Sequence, residues 1–349
     1  MTSTAPPESE SSDDIGPPAE LGPIIRSYHF YNDLVAGVLS IMLNVLVILV
    51  FTTRISTASK LFKKVMTVTK LVEMLFSASY ILTAPVFTSI SVDDSFTGLM
   101  IVNTGWQFNF YYSQIVLAAA LVFLTQQIFL APWLYYIRYD QVCKKHGVRC
   151  IDFLKMLIIN LIFQVLTSVS LCFSSFPTSK DITELQFVAN KFTGSNSAFL
   201  LLSYTKEVDT VREQIEHVGS IMSAVAYVLT LILSILVMIL CTIKINLKVR
   251  ESKNSSNNLL VLQKKMNRVL LAQFFCPLIF IQAPFYYSVL GPIVGLSQGL
   301  VTDLLPLLFA WSPVVNTLFI FILNSEIRNA LIGKQHVSTS EVRSFANKS

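Results

Sequence analysis

Glu73 lies inside a long apolar run, with Lys70 three positions before it. That spacing lets the two charges pair across one helical turn. Ionisable groups buried in a membrane-type segment are functional candidates by default. Lys70 has a second option, because its long stem can carry the ammonium toward the headgroups. Asn44 lies ten residues from Arg54, Glu73 nine from Lys64, and Asn316 eight from Asn324. At about 1.5 Å per residue, all three sit roughly 12–15 Å from the basic ends of their helices. They form a polar layer able to join three helices by hydrogen bonds and to act as a conformational switch. Gly37, Ser40 and Asn44 fall on one face of the first of these helices, as close packing requires.

Other residues suit recognition better than catalysis. Trp106, Phe110, Tyr111 and Gln114 cluster at the start of one helix, and Gln282 and Tyr286 share a face of another. Aromatics with a few polar groups line small-ligand pockets, and the same residues also form interfacial belts. Asp303 is a candidate contact for a polar ligand group, or a wet residue that helps start its helix. The four histidines, His29, His146, His217 and His336, fall in predicted loops or tails. No His or carboxylate cluster has intramembrane helical spacing, so neither a metal site nor a cofactor is expected. With no nucleophile elbow and no phosphate loop, an enzyme is not expected either. Five cysteines, with Cys172 alone near the predicted outer face, make no disulfide framework.

These residues need helices to position them. The 349-residue chain is 53% apolar and 13% charged, against about 25% charged in soluble domains. Apolar stretches begin near Tyr31, Val65, Leu99, Phe153, Val218, Val269 and Leu300, each about 20 residues or longer and able to cross a bilayer. Nineteen Lys and Arg residues fall in alternate gaps and the final tail, and five fall on the other side. The positive-inside rule then places the N-terminus outside. The expected fold is an all-α membrane protein: a seven-transmembrane bundle followed by a short amphipathic helix, with Ile327, Ala330 and Leu331 on one side. The division is a disordered acidic extracellular tail over 1–29, a membrane domain over 30–324 and a cytoplasmic tail over 325–349. Sequons at Asn254 and Asn347 fall on the cytoplasmic side. The basic residues neighbour a lipid bilayer and give no nucleic-acid signal.

Prolines punctuate the helices at Pro85, Pro132, Pro277, Pro284, Pro306 and Pro313, each removing a backbone bond and offering a bend. With Asn44, Glu73 and Asn316, the prolines Pro277, Pro284 and Pro313 complete the expected switch.

The pattern resembles the Str class of nematode serpentine chemoreceptors, a divergent group of G-protein-coupled receptors. Leu-Phe-Lys-Lys-Val-Met leads to Glu73, Met74, Ser77 and Pro85, and the third helix ends in Tyr136-Ile137-Arg138-Tyr139. Gln273-x3-Pro277-x6-Pro284 has the family's spacing. Pro313, Asn316 and Thr317 stand where the family usually reads Pro-x-x-Asp-Pro. The resemblance covers about Tyr31 to Leu331. It implies a plasma-membrane receptor of sensory neurons, often ciliary, that binds a small molecule from outside and activates a heterotrimeric G-protein. Arg138, Tyr139, Lys264, Lys265 and Arg268 would then meet the G-protein. A ligand-gated cation channel of the insect olfactory-receptor type would need the inverted topology, which the charge count opposes. A small-solute carrier is disfavoured by the odd helix number and the lack of an internal repeat.

Overall fold

The computed structural model describes residues 18, 20–53, 60–92, 96–143, 155, 158, 161–162, 164–168, 172, 175–194, 197–206, 210–251, 271–272, 275–291, 299–323 and 327–329. The elements run α1 (Gly22–Thr53), α2 (Lys60–Thr83), β1 (Val86–Val92), β2 (Phe96–Val102), α3 (Phe110–Cys143), α4 (Ser179–Thr193), β3 (Phe199–Lys206) and α5 (Val211–Glu251). A π-helical turn (Leu278–Gln282), α6 (Ala283–Leu290), α7 (Gly299–Leu304) and α8 (Leu307–Leu323) follow. Among the described residues, five stretches are long and apolar enough to cross a membrane: Gly22–Thr53, Lys63–Thr83, Phe110–Ile137, Val211–Lys248 and Val301–Leu323. Phe275–Leu290 is a shorter apolar helix. Of the expected fourth stretch, the described residues between 155 and 175 are helical.

Large apolar side chains on α1 and α5, such as Val35, Met42, Leu229 and Leu240, face outward. A lipid surround accounts for them, since lipid tails are as apolar as leucine. Inward, Gly37 lets α1 approach α2, because a Cβ there would lie 2.5 Å from Ile81 Cγ1.

One end of the bundle carries a cap that the all-α expectation lacks. β1, β2 and β3 form an antiparallel sheet in that order, with Val86 opposite Val102 and Val102 opposite Phe199. Phe87, Leu99, Ile101, Leu200, Leu202 and Tyr204 face the bundle core. The alternate residues Val86, Ile90, Met100, Val102, Phe199 and Leu201 pack with Leu185, Val188, Ala189 and Phe192 of α4. Both faces of the sheet are therefore buried, so Leu99–Val102 of β2 and Phe199–Leu202 of β3 read as continuous apolar runs, whereas β1 carries Thr88, Ser89 and Ser91. That is why the third crossing was expected from Leu99, a residue of β2, whereas α3 begins at Phe110. α4 is delimited by a capping box between Thr178 and Asp181 and by Gly194, whose φ of 71° closes the C-terminus.

Two further expectations change. α1 begins at Gly22, inside the stretch expected to be a disordered tail, and His29 lies within it. Pro85 follows α2 instead of bending it, and Ala84, with φ 36°, turns the chain toward β1. The last carbonyls of α2 are taken by the turn before α3. Thr104 and Gly105 donate to the Thr83 carbonyl at 3.1 and 2.9 Å, and Trp106 to that of Leu82 at 2.9 Å. Only glycine fits at 105, since a Cβ would sit 2.4 Å from the Leu82 oxygen. Gly105→Ala should lower the thermal unfolding midpoint of the purified protein by the equivalent of about 1–3 kcal/mol, the usual cost of overpacking. An unchanged midpoint would show that this seam relaxes freely.

Candidate functional site

The polar residues of α1, α2 and α8 meet in one network. Lys70 Nζ donates to Glu73 Oε2 at 2.7 Å and to Thr317 Oγ1 at 3.1 Å. Asn316 Nδ2 donates to Glu73 Oε1 at 2.7 Å, and Thr317 Oγ1 donates to Asn44 Oδ1 at 2.8 Å. Asn44 Nδ2 reaches Ser40 Oγ at 3.2 Å, and the Ser40 and Ser77 hydroxyls meet at 2.7 Å. All seven side chains are buried. Lys70 is turned inward and does not snorkel, because both carboxylate oxygens of Glu73 are already engaged within the bundle and hold its charge there. Helix association in lipid lacks a hydrophobic drive, so such bonds and close packing must supply it.

The residues expected to bend lie beside this network. The sixth segment carries its π turn between Pro277 and Pro284, with the Ala283 N–H reaching back to Leu278. Such bulges occur often at functional sites. Pro306 separates α7 from α8, and Pro313 lies within α8. The Cys276 thiol donates to the Ser312 carbonyl at 3.3 Å, joining the two bent segments just above Asn316.

The expected ligand contacts separate into two groups. Trp106 and Tyr111 are 55% and 71% exposed and point away from the core. Tyr111 and Gln114 line an open cleft of about 480 Å³ with Phe176, Thr178, Arg212 and Glu213. Gln114 also donates to the Phe199 carbonyl at 3.3 Å, and Phe110 packs edge-on against the Phe199 ring, tying α3 to the cap. Gln282 and Tyr286 lie instead in the buried core beneath the sheet, which contains Tyr80, Phe87, Phe285 and Phe309. Phe87 and Tyr80 meet Phe309 with ring centroids 5.6 and 6.4 Å apart. Within or beside this apolar core, Tyr80 OH, Tyr204 OH, Gln282 Oε1 and Ser288 Oγ have no hydrogen-bond partner among the described residues. Apolar walls with a few convergent polar atoms are the usual make-up of a small-ligand site.

Asp303 is neither wet nor at a helix start. It is 2% exposed near the end of α7, where its backbone carbonyl meets His29 Nε2 at 2.7 Å. Sequence reasoning passed over His29 and Asp33 because it assigned His29 to a tail. The i, i+4 stripe Ile25–His29–Asp33, which α1 buries, was the available clue.

At the opposite, basic end, Arg138 lies in the last turns of α3. Tyr139 stacks under Lys244 of α5, whose Nζ is 5.5 Å from the ring centroid. Lys264, Lys265, Arg268 and both sequons lie outside the described residues, as does the side chain of Arg138. Ile327 packs with Val47, Val50, Phe51, Met66 and Ile320, so the start of the expected amphipathic helix closes the bundle at that end. Among the described residues no three His, Cys, Asp or Glu side chains converge as metal ligands.

A mostly helical chain with several membrane-length segments and a fully buried ion pair has the build of a multi-pass membrane protein. The chain belongs to the serpentine-type 7TM GPCR chemoreceptors of the Str family, whose pattern it matches over residues 30–332. That family consists of receptors, not enzymes. No curated protein matches the chain.

Proposed function

We propose that this protein is a chemosensory receptor of the plasma membrane, in a sensory cilium, that binds a small molecule and activates a heterotrimeric G-protein. The chain crosses seven times, with the N-terminus and the β-sheet cap outside and the basic end in the cytoplasm. The positive-inside count supports that orientation. The ligand lodges in the apolar core beneath the sheet, against Gln282, Phe285 and Tyr286. Trp106 and Tyr111 serve as headgroup anchors at the same level. Arg138, Tyr139 and the basic residues Lys264, Lys265 and Arg268 receive the G-protein.

The observation that carries this reading is the network of Lys70, Glu73, Asn316 and Thr317. It joins α2 to α8 below the aromatic core, next to the bent sixth and seventh segments. A ligand acts by preferring the conformer in which the cytoplasmic ends have parted, and its differential affinity sets the shift. Breaking or re-forming contacts to Glu73 couples the aromatic core to those ends.

In a reporter cell screened to an agonist, Glu73→Gln should change nucleotide exchange on the Gα subunit at least several-fold while the receptor still reaches the surface. Unchanged expression and response would reduce the network to structural glue. Antibody access to an N-terminal tag on intact cells tests the orientation, and agonist currents that persist without G-protein would favour a channel.

A further inference from the structure

Two buried carboxylates at the capped end have no counter-ion among the described residues. Asp33 and Asp303 are 1% and 2% exposed, and His29, one turn from Asp33 on α1, is fully buried. The three are held together by contacts between α1 and the seventh segment. His29 Nε2 donates to the Asp303 carbonyl at 2.7 Å. Asn32 Nδ2 donates to the Leu307 carbonyl at 3.1 Å and to Asp33 Oδ1 at 2.9 Å, and Trp311 Nε1 donates to Asn32 Oδ1 at 2.8 Å. The Thr88 hydroxyl of β1 is within hydrogen-bonding reach of the Asp303 carboxylate. One oxygen of each acid is thus steadied by the protein.

The other oxygens are not. Asp33 Oδ2, Asp303 Oδ1, His29 Nδ1 and Tyr80 OH are buried without partners among the described residues. Tyr80 lies within electrostatic reach of Asp33. The nearest basic residue along α1, Arg26, turns its Nε to the Thr104 carbonyl at 3.1 Å. The two ion pairs formed between described residues, Lys70–Glu73 and Arg212–Glu216, lie elsewhere. Burying a charged group without a partner is expensive. The set is rich in acceptors: two carboxylate oxygens, an imidazole nitrogen whose ring proton is already committed to the other nitrogen, and a phenol.

We propose that the ligand is a small organic ammonium whose nitrogen is held by Asp33 and Asp303, with its apolar part against Tyr80 and Phe309. This deepens the receptor reading and rests on it for the orientation of the cap. An ammonium brings N–H donors and a positive charge to the free carboxylate oxygens of Asp33 and Asp303. Tyr80 continues from this cluster into the aromatic core through Phe76, 4.5 Å away between centroids, and Phe309. A neutral alcohol or ketone brings no positive charge to either acid. A dehydrated metal ion asks for more ligands than converge among the described residues.

The test uses the full chain in lipid nanodiscs, without G-protein. Primary alkylamines of four to eight carbons are compared with alcohols of equal length by thermal shift and by calorimetry at neutral pH. Amines should bind at least tenfold tighter than the matched alcohols, with one per receptor. Asp33→Asn and Asp303→Asn should each weaken the amine at least tenfold, and Glu216→Gln should leave it unchanged. Equal affinity of amine and alcohol in the unmodified receptor overturns the proposal even where the Asn variants do not fold. So does a stabilisation reproduced by sodium chloride alone or by acidification alone. Because the readout is binding, a receptor that binds amines yet never promotes exchange refutes the coupling reading only. A receptor that signals to neutral agonists alone refutes the ammonium only.

Discussion

Lys70→Met should destabilise the folded bundle by about 3–5 kcal/mol, the cost of leaving a buried charge without its partner. In this variant Glu73 keeps only Asn316 and Thr317 as hydrogen-bond partners. Its short side chain cannot reach the headgroups. The reverse change is milder, because in Glu73→Gln the lysine stem can carry its ammonium toward the basic end. The double variant Lys70→Met/Glu73→Gln removes both charges and should recover most of the lost stability, as replaced buried pairs often do. Thermal midpoints of the three proteins in one detergent give the ranking. A Lys70→Met protein as stable as the parent would show that the Lys70–Glu73 pair does not hold the bundle together.

Phe192→Ala should cost a similar amount, about 3–5 kcal/mol, by a different mechanism. Phe192 is fully buried between α4 and the sheet, against the residues of β1, β2 and β3 that turn away from the bundle. That layer stands at the end of the bundle, where burial from water drives packing, while the middle of the bundle relies on hydrogen bonds and close fit. The loss should therefore be local. Hydrogen exchange should quicken in α4 and β3 and stay slow in α1, α2 and α8, since proteins open in partly independent units. Uniform acceleration through the bundle would make cap and bundle one cooperative unit.

The buried network shows how far sequence carries. Depth counted from basic helix ends puts Asn44, Glu73 and Asn316 at one level, and the structure brings them together. The join was legible because helical rise is regular and polar residues are rare in apolar runs. Thr317 and Ser77, which complete it, were not, since a hydroxyl in a helix usually bonds its own backbone. The cap was illegible for the opposite reason: a strand buried on both faces loses its alternation and reads like part of a span. The capping box at Thr178 and Asp181, followed by Gly194, is a sequence signal that delimits α4. Trp106 and Gln282 both belong to aromatic-rich helix ends, with Gln282 and Tyr286 the stronger pair because they share a face. Only the fold shows that Gln282 is covered and Trp106 exposed.

The strand order also sets a timetable for synthesis. β1 and β2 are adjacent in the chain, but β3 begins at Phe199 and pairs with β2, which ends at Val102. At about 5–20 residues per second the ribosome needs about 5–20 s to bridge that interval. During it the hairpin waits with one edge open and with apolar residues on both faces. An unpaired, apolar edge of this kind is a template for pairing with other chains. Newly made copies are therefore most vulnerable to misassembly while the intervening chain is being inserted, and a chaperone on the hairpin's side of the membrane would act in that window.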